Sequence, residues 1–385
     1  MTVETRKPLL SYREQFPILS TSTYLINNSL GAMPASVHTA LRDYATLWEN
    51  EGVAAWHDWM PMVQEVGDLV GRVIGAPKGT VLMHQSVSST LSIIASCFDW
   101  KPPRNKVIYT SNEFPTVDFF WDSWQKLGAR AVRIDSGDKH VFPLEQVLEA
   151  IDHETLIVSI SHVLFRSSAI VDVRAVVERA HEMGAYVLVD AYQSVASMPI
   201  DVVDWDVDFL SGGSVKWLCG GSGAGYLYVR SDLIEQLEPA VCGWLSHVDP
   251  FAFEEAPIRY APGIIRFLGG TPAMPGLYAA REGYRIIDEV GTAAIRANSV
   301  KLTRPLINWA QEKGLALRTP PDDEARGGHV TVDMPNCEEV SKRLLDRRFF
   351  VDYRPGSGIR ISPHFFNTPD EVDSVIRQID SLLGG

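Results

Sequence analysis

The chain has 385 residues, 45% hydrophobic and 22% charged, with a formal net charge of −13. At ~100–200 residues per domain this composition predicts two folded domains and excludes disordered, collagen-like and low-complexity classes. No apolar run approaches the ~18–20 residues of a membrane span, MTVETRKPLLSYREQF lacks an apolar signal core, and no basic stripe offers a nucleic acid a docking face. Cys97, Cys219, Cys242 and Cys337 are far apart and form no CxxC pair. Neither a metal cluster nor a disulfide framework is expected, and a reducing cytoplasm is the predicted setting.

In chain order, TVLMH reads as a strand, followed by the polar QSVSST (Gln85 to Thr90) and the helical LSIIASCF. KVIYTS is a short buried strand. FPTVDFFWDSWQKLG has helical apolar spacing and ends at Gly128 as a C-cap. ARAVRID and the β-branched TLIVSIS follow as strands. DVRAVVERAHEMG is an amphipathic helix ending at Gly184, and AYVLVD is a strand closing on Asp190. Such alternation predicts an α/β fold: a mostly parallel sheet covered by helices on both faces. From Tyr278 to about Gly314 the pattern is helical, with breaks expected near Gly291 and again at Pro305. HVTVDMP, FFVDYR and GIRISP read as strands, NCEEVSKRLLDRR and the stretch from Pro369 as helices. The predicted organisation is an N-terminal arm (1–20), a large α/β domain (21–275), and an interdomain helix with a small α+β domain (276–385).

Three features carry chemistry. Asp190 stands at the carboxyl end of a predicted strand, where open α/β sheets bind ligands; a carboxylate there can pair with a protonated pyridine nitrogen or simply cap a turn. Lys216, in DFLSGGSVKWLCGGSGAGYLYV, has apolar, Gly-rich neighbours; a desolvated amine loses proton affinity and becomes a nucleophile. Backbone N–H groups and hydroxyls of Gln85 to Thr90 open a helix and form either an anion cup or an ordinary N-cap. GGSGAG precedes a strand and does not open a helix, so it fails as a dinucleotide fingerprint.

Asp190, Lys216 lying 26 positions further on, and the upstream cup together resemble a fold-type I pyridoxal-phosphate enzyme. The closer resemblance is to the class V aminotransferase group and, within it, to kynureninase. It spans most of the chain through TYLINNSLGAMP, EGVAAWHDWMP, SNEFPTVDFFW, SHVLFRSSAIVDV, CGWLSH, FLGGTP and SGIRISPHFFNTPDEVD. The resemblance implies pyridoxal 5'-phosphate as cofactor and a large cofactor-binding domain with a smaller C-terminal one. It further implies a small amino-acid substrate and a homodimer with shared active sites. Lys216 would form the Schiff base and shuttle protons, and Asp190 would hold the pyridine nitrogen protonated. Gln193 would contact the phenolic oxygen and Phe114 would stack on the ring. Gln85 and Ser86 would bind the phosphate, with Ser211 or Ser214 assisting, and Trp244 and Thr271 would come from the neighbouring subunit. Arg360 would bind the substrate carboxylate, Arg354 and Arg166 being the next candidates, with Asn28 and Ser29 also on the substrate side.

The chain departs from the kynureninase pattern twice: Val215 stands where that family has Tyr before the lysine, and Gln193 where it has His. Tyr192 is the nearest phenol in sequence. Cysteine desulfurases need a mobile Cys, yet ISPHFFNTP after Arg360 holds none and Cys337 opens a predicted helix, so that activity is disfavoured. The expected function is a kynureninase-like hydrolase or lyase acting through a Cα carbanion. A class V aminotransferase or an amino-acid epimerase is the alternative; a non-catalytic scaffold would have no use for Lys216 opposite Asp190.

Overall fold

The computed structural model describes residues 7–384; the first six residues of the expected arm lie outside the described residues. After a two-residue strand β1 (Thr23–Tyr24), the main sheet is built from β2 (Val81–His84), β3 (Lys106–Thr110), β4 (Arg130–Ile134), β5 (Thr155–Ser161), β6 (Tyr186–Asp190), β7 (Phe209–Gly213) and β8 (Gly225–Val229). Their spatial order is β2-β8-β7-β6-β5-β3-β4. Strands β7, β6, β5, β3 and β4 run parallel, and only β8 opposes both its neighbours. Every residue of β3, β5, β7 and β8 is buried, as expected for a sheet covered on both faces. The edge strand β4 instead exposes Arg130 and Arg133, charges that discourage pairing with another chain.

The helices form where the sequence predicts them. Asp172 caps Val173–Glu182 by accepting from the Ala175 N–H, and Gly184 takes φ +72° just beyond it. Pro115 opens Pro115–Trp124 in its first turn, and the following turn ends at Gly128 with φ +103°. Thr368 and Glu371 form a capping box at the start of Pro369–Leu383.

The C-terminal part has its own core. Strands β9 (Ala316–Leu317), β10 (Val330–Asp333), β12 (Asp352–Arg354) and β13 (Gly358–Ile361) form an antiparallel sheet in the order β12-β13-β10-β9. The expected FFVDYR strand is two strands: β11 (Phe349–Phe350) pairs with β1, while β12 pairs with β13. Through β1 the chain's start is stitched to its end. Leu25 is buried in this second core, and Ile26 bridges Ser362. Tyr12, Phe16 and Leu19, by contrast, pack into the larger core beside Phe365 and Phe366.

One expectation fails. The helical stretch does break at Gly291 (φ +81°), between Met274–Val290 and Thr292–Glu312, but Pro305 lies inside the second helix without ending it. An internal proline costs ~3 kcal/mol. Leu302, Leu306, Ile307 and Trp309 on the same helix are all buried, each worth ~1.5–3 kcal/mol, so packing outweighs the lost hydrogen bond.

Candidate active site

A cavity of about 490 Å³ opens beyond the carboxyl ends of the parallel strands, between the main sheet, the Asn28–Ser29 turn and strands β12 and β13. Its size suits a cofactor with a small substrate. Asp190 lines it, in register with Ser161 of β5 and Ser211 of β7. One carboxylate oxygen of Asp190 accepts the Tyr192 N–H at 2.8 Å. Burial raises its proton affinity, while that hydrogen bond and the charge of Lys216 act the other way.

Lys216 follows β7 and points into the same cavity. Its Nζ lies 4.3 Å from the centre of the Tyr192 ring and 5.6 Å from that of Phe114. Burial pushes its pKa down to about 7 against the opposing pull of Asp190, with Arg360 and Arg354 adding to the depression. A large fraction of neutral amine is thus available near pH 7, as a Schiff-base lysine requires. Phe114 is 41% exposed and lines the cavity with an apolar face. Gln193 donates from Nε2 to the Asn28 carbonyl (2.9 Å) and accepts from Trp217 Nε1 (3.1 Å). The second N–H of its amide bonds no described residue and is open to a ligand oxygen.

At the far end, Gln85, Ser86, Val87 and Ser88 line the cavity where the helix Val87–Ala95 begins. Ser86 is the N-cap, accepting from the Ser89 N–H at 3.4 Å. The first N–H groups of a helix have no partner within it, so they face an incoming anion. A Cβ at Gly225 would stand 3.0 Å from the Ser86 backbone, so glycine lets the cup close against β8.

The opposite wall comes from the C-terminal sheet. Arg360, 1% exposed, is in register with Asp352 across β13 and β12. Its Nε donates to Asp352 Oδ2 at 2.6 Å and its Nη1 to the Phe165 carbonyl at 2.5 Å. The Asn28 amide is satisfied with its oxygen 3.0 Å from Arg360 Nε and its nitrogen 2.7 Å from Ser362 Oγ. Arg354 lines the cavity and shares the same Asp352 oxygen at 3.0 Å. Arg166 stays outside it, donating to the Pro355 carbonyl and to Ser357.

Of the residues singled out in the sequence, Lys216, Asp190, Gln193, Phe114, Gln85, Ser86, Arg360, Asn28 and Ser29 meet in this cavity. Four do not. Ser211 sits behind the wall, its Oγ 2.5 Å from Thr90 Oγ1. Ser214 bonds the Tyr284 hydroxyl and the Ala224 carbonyl. Trp244 and Thr271 flank two other hollows of their own chain. Two acidic residues escaped the sequence reading. Asp352 could have been seen from DYR, where alternation puts it on one strand face with Arg354. Glu113, 5% exposed, accepts from Ser161 (2.5 Å) and Thr110 (3.0 Å). Burial pushes its pKa up to about 7, against the Ser161 hydrogen bond and with the charge of Asp190 adding to the rise. Nothing in its local sequence marks it.

The site fits pyridoxal phosphate: a half-buried carboxylate with an oxygen to spare, a depressed amine between aromatic faces, and an anion cup. The comparisons agree. The class V aminotransferase family profile matches residues 23–375. An uncharacterized aminotransferase, YcbU, of Bacillus subtilis (strain 168) is 31% identical over 96% of both chains. A kynureninase of Bacillus anthracis is 26% identical over 94% of this chain and 89% of its own, and one of Pseudomonas fluorescens is 27% identical over 100% and 94%. Among solved structures, an apo cysteine desulfurase from Thermococcus onnurineus NA1 superposes with a TM-score of 0.85 at 22% identity, covering 97% of this chain and 98% of its own. The cystine C-S lyase C-DES, in complex with its product cysteine persulfide, gives 0.84 at 20% over 95% and 99%; at these identities the likeness is one of fold. With its carboxylate, amine and anion cup gathered at the sheet's carboxyl edge, the chain belongs to the class V aminotransferase family and is a pyridoxal-phosphate-dependent enzyme.

Proposed function

We propose that this enzyme acts on an α-amino acid by removing a proton at Cα, and that its reaction is a kynureninase-like hydrolysis or lysis beyond Cβ. The observation that carries this reading is the pairing, in one cavity, of the Lys216 amine with the Arg360–Asn28 wall. The amine can take a proton, and the wall holds a planar guanidinium fork that Asp352 occupies until a substrate carboxylate takes its place. Kynureninases matching 94–100% of this chain support the choice of reaction. Bound pyridoxal phosphate supplies the electron sink for charge developing at Cα. In this reading Asp190 keeps the ring nitrogen protonated, Gln193 offers its free N–H to the phenolic oxygen, and Phe114 covers one ring face. The Gln85–Ser88 cup holds the phosphate.

None of the four cysteines lines the cavity. The Sγ of Cys337 is turned into the second core, donating to the Met334 carbonyl at 3.1 Å. A persulfide reaction needs a thiolate at the substrate, so desulfuration stays disfavoured. Transamination is the second reading, favoured by the name of the 31%-identical relative. Incubating holoenzyme with L-kynurenine, 3-hydroxykynurenine and the common amino acids, with and without a 2-oxo acid acceptor, separates them. Alanine with an anthranilate product supports hydrolysis, acceptor-dependent 2-oxo acid formation supports transamination, and the recovered amino acid's chirality reports epimerisation.

The same reading makes the enzyme a cytoplasmic homodimer. Trp244 and Thr271 lie outside their own chain's cavity, and Val241, Val248, Phe251 and Phe253 are exposed around the Trp244 loop. An interface on the order of 2,000 Å² or more would cover them and supply both residues in trans. Among the described residues no helix is long and apolar enough to cross a membrane. Sedimentation giving a stable, active monomer would remove the dimer and both residues from the site.

A further inference from the structure

Proton transfer at the cavity needs a donor as well as the Lys216 amine. Its side walls hold few groups that exchange protons. Arg354 and Arg360 remain charged throughout the working range, Asp190 is committed beneath the ring, and Val215, beside Lys216 in the lining, carries no exchangeable side-chain proton. Tyr192 is different. Its ring centre lies 4.3 Å from Lys216 Nζ, it faces the cavity, and its hydroxyl makes no hydrogen bond to any described residue. The backbone makes room for that hydroxyl. A Cβ at Gly213 would stand 2.4 Å from Tyr192 Oη, so only glycine permits the placement. Gly213 is in register with Gly225, which abuts Ser86; the phenol therefore spans from the amine toward the anion cup.

We infer that Tyr192 is a catalytic residue, the acid that works opposite Lys216. Burial and the charge of Asp190 push its pKa up to about 12, while that of Lys216 falls to about 7. Two neighbouring groups driven apart in this way form an acid and a base at neutral pH. The role is already needed when the cofactor is loaded. The Lys216 amine adds to the aldehyde carbon of pyridoxal phosphate, and one nitrogen proton passes to the aldehyde oxygen, making a hydroxyl. Tyr192 gives its proton to that hydroxyl, which leaves as water while the carbon–nitrogen double bond forms. The remaining nitrogen proton would then return to the phenolate, so that Tyr192 is restored while Lys216 stays joined to the cofactor. The same pair would serve the substrate, Lys216 taking the proton from Cα and Tyr192 protonating the atom that gathers charge.

This inference rests on the cofactor reading of the cavity but not on the choice of substrate. The test is the rate at which cofactor-free protein develops its visible band on mixing with pyridoxal phosphate at pH 7.5. Tyr192→Phe keeps the ring over Lys216 and removes only the acid. It should load more than about tenfold more slowly, corresponding to over ~1.4 kcal/mol of lost transition-state stabilisation, yet reach the wild-type cofactor content. Added imidazolium buffer should speed loading of the variant and leave wild type unchanged. A variant that loads within twofold of wild type overturns the role. Should Tyr192→Phe not fold, loading of the wild type in D₂O decides: slowing of about twofold or more supports the phenol, and an unchanged rate overturns it. A wild type that loads normally but turns over no amino acid would dismiss the kynureninase-like reading and leave Tyr192 in place.

Discussion

The two walls of the cavity hold their polar groups in opposite states. The wall from the main sheet leaves capacity unspent: Asp190 has one oxygen bonded, the Tyr192 hydroxyl has no bond among the described residues, and the helix at Val87 begins with open N–H groups. The wall from the C-terminal sheet is already engaged at Arg360, although Arg354 keeps its buried Nε unpaired. Arg360 is held by Asp352, the Phe165 carbonyl and Asn28, and Arg354 shares the same carboxylate. An unsatisfied, pre-aimed wall suits a ligand that stays, since it meets its partners without rearrangement. A self-satisfied wall suits a ligand that comes and goes. Asp352 occupies the fork that a substrate carboxylate would use, so the Arg360 guanidinium is not left bare between turnovers.

Breaking the main-sheet wall should have the largest effect. Lys216→Ala should abolish turnover, because among the described residues no other amine faces the cavity; rate assays at high enzyme concentration check this. Asp190→Asn should retain cofactor but lose on the order of 10³ in kcat, or ~4 kcal/mol, since an amide cannot hold a pyridinium charge. Near-normal kcat at full cofactor occupancy would contradict the assignment.

Altering the C-terminal wall should act on affinity instead. Arg360→Lys should raise KM about tenfold or more with little change in cofactor content, because an ammonium cannot reproduce the planar fork. An unchanged KM would shift the carboxylate to Arg354. The smallest effect concerns the layer behind Asp190. Glu113 has its pKa raised in the folded protein, to about 7. The native state therefore holds more protons than the unfolded one between about pH 4.5 and 7. Its contribution to stability is greatest below that window and falls as pH rises through it. Glu113→Gln should flatten the decline, worth on the order of 3 kcal/mol from the size of the shift. Denaturant titrations at pH 5 and pH 8 measure it, and equal slopes in both proteins would rule it out.

This contrast also marks what could be read in advance. The main-sheet wall was legible because strand periodicity places Asp190 at a strand end and apolar, Gly-rich neighbours single out Lys216, without any knowledge of packing. Arg360 was legible through the resemblance, but its engagement by Asp352 depends on the register of β12 against β13, which turn geometry sets. Glu113 was hidden because burial, not spacing, gives it its character. Pro305 does not break the helix because four buried side chains around it, invisible to local backbone preference, hold the helix together. Ser211 and Ser214 sit near Lys216 in the sequence, yet strand pairing turns them to Thr90 and Tyr284.

The account stands on the Lys216 amine as the point of cofactor attachment. Holoenzyme reduced with borohydride, digested and mapped by mass spectrometry tests it directly. The prediction is a single pyridoxyl-phosphate adduct on the peptide containing Lys216, at near one per chain. An adduct on another lysine, or none in a protein that binds the cofactor and turns over an amino acid, would contradict it.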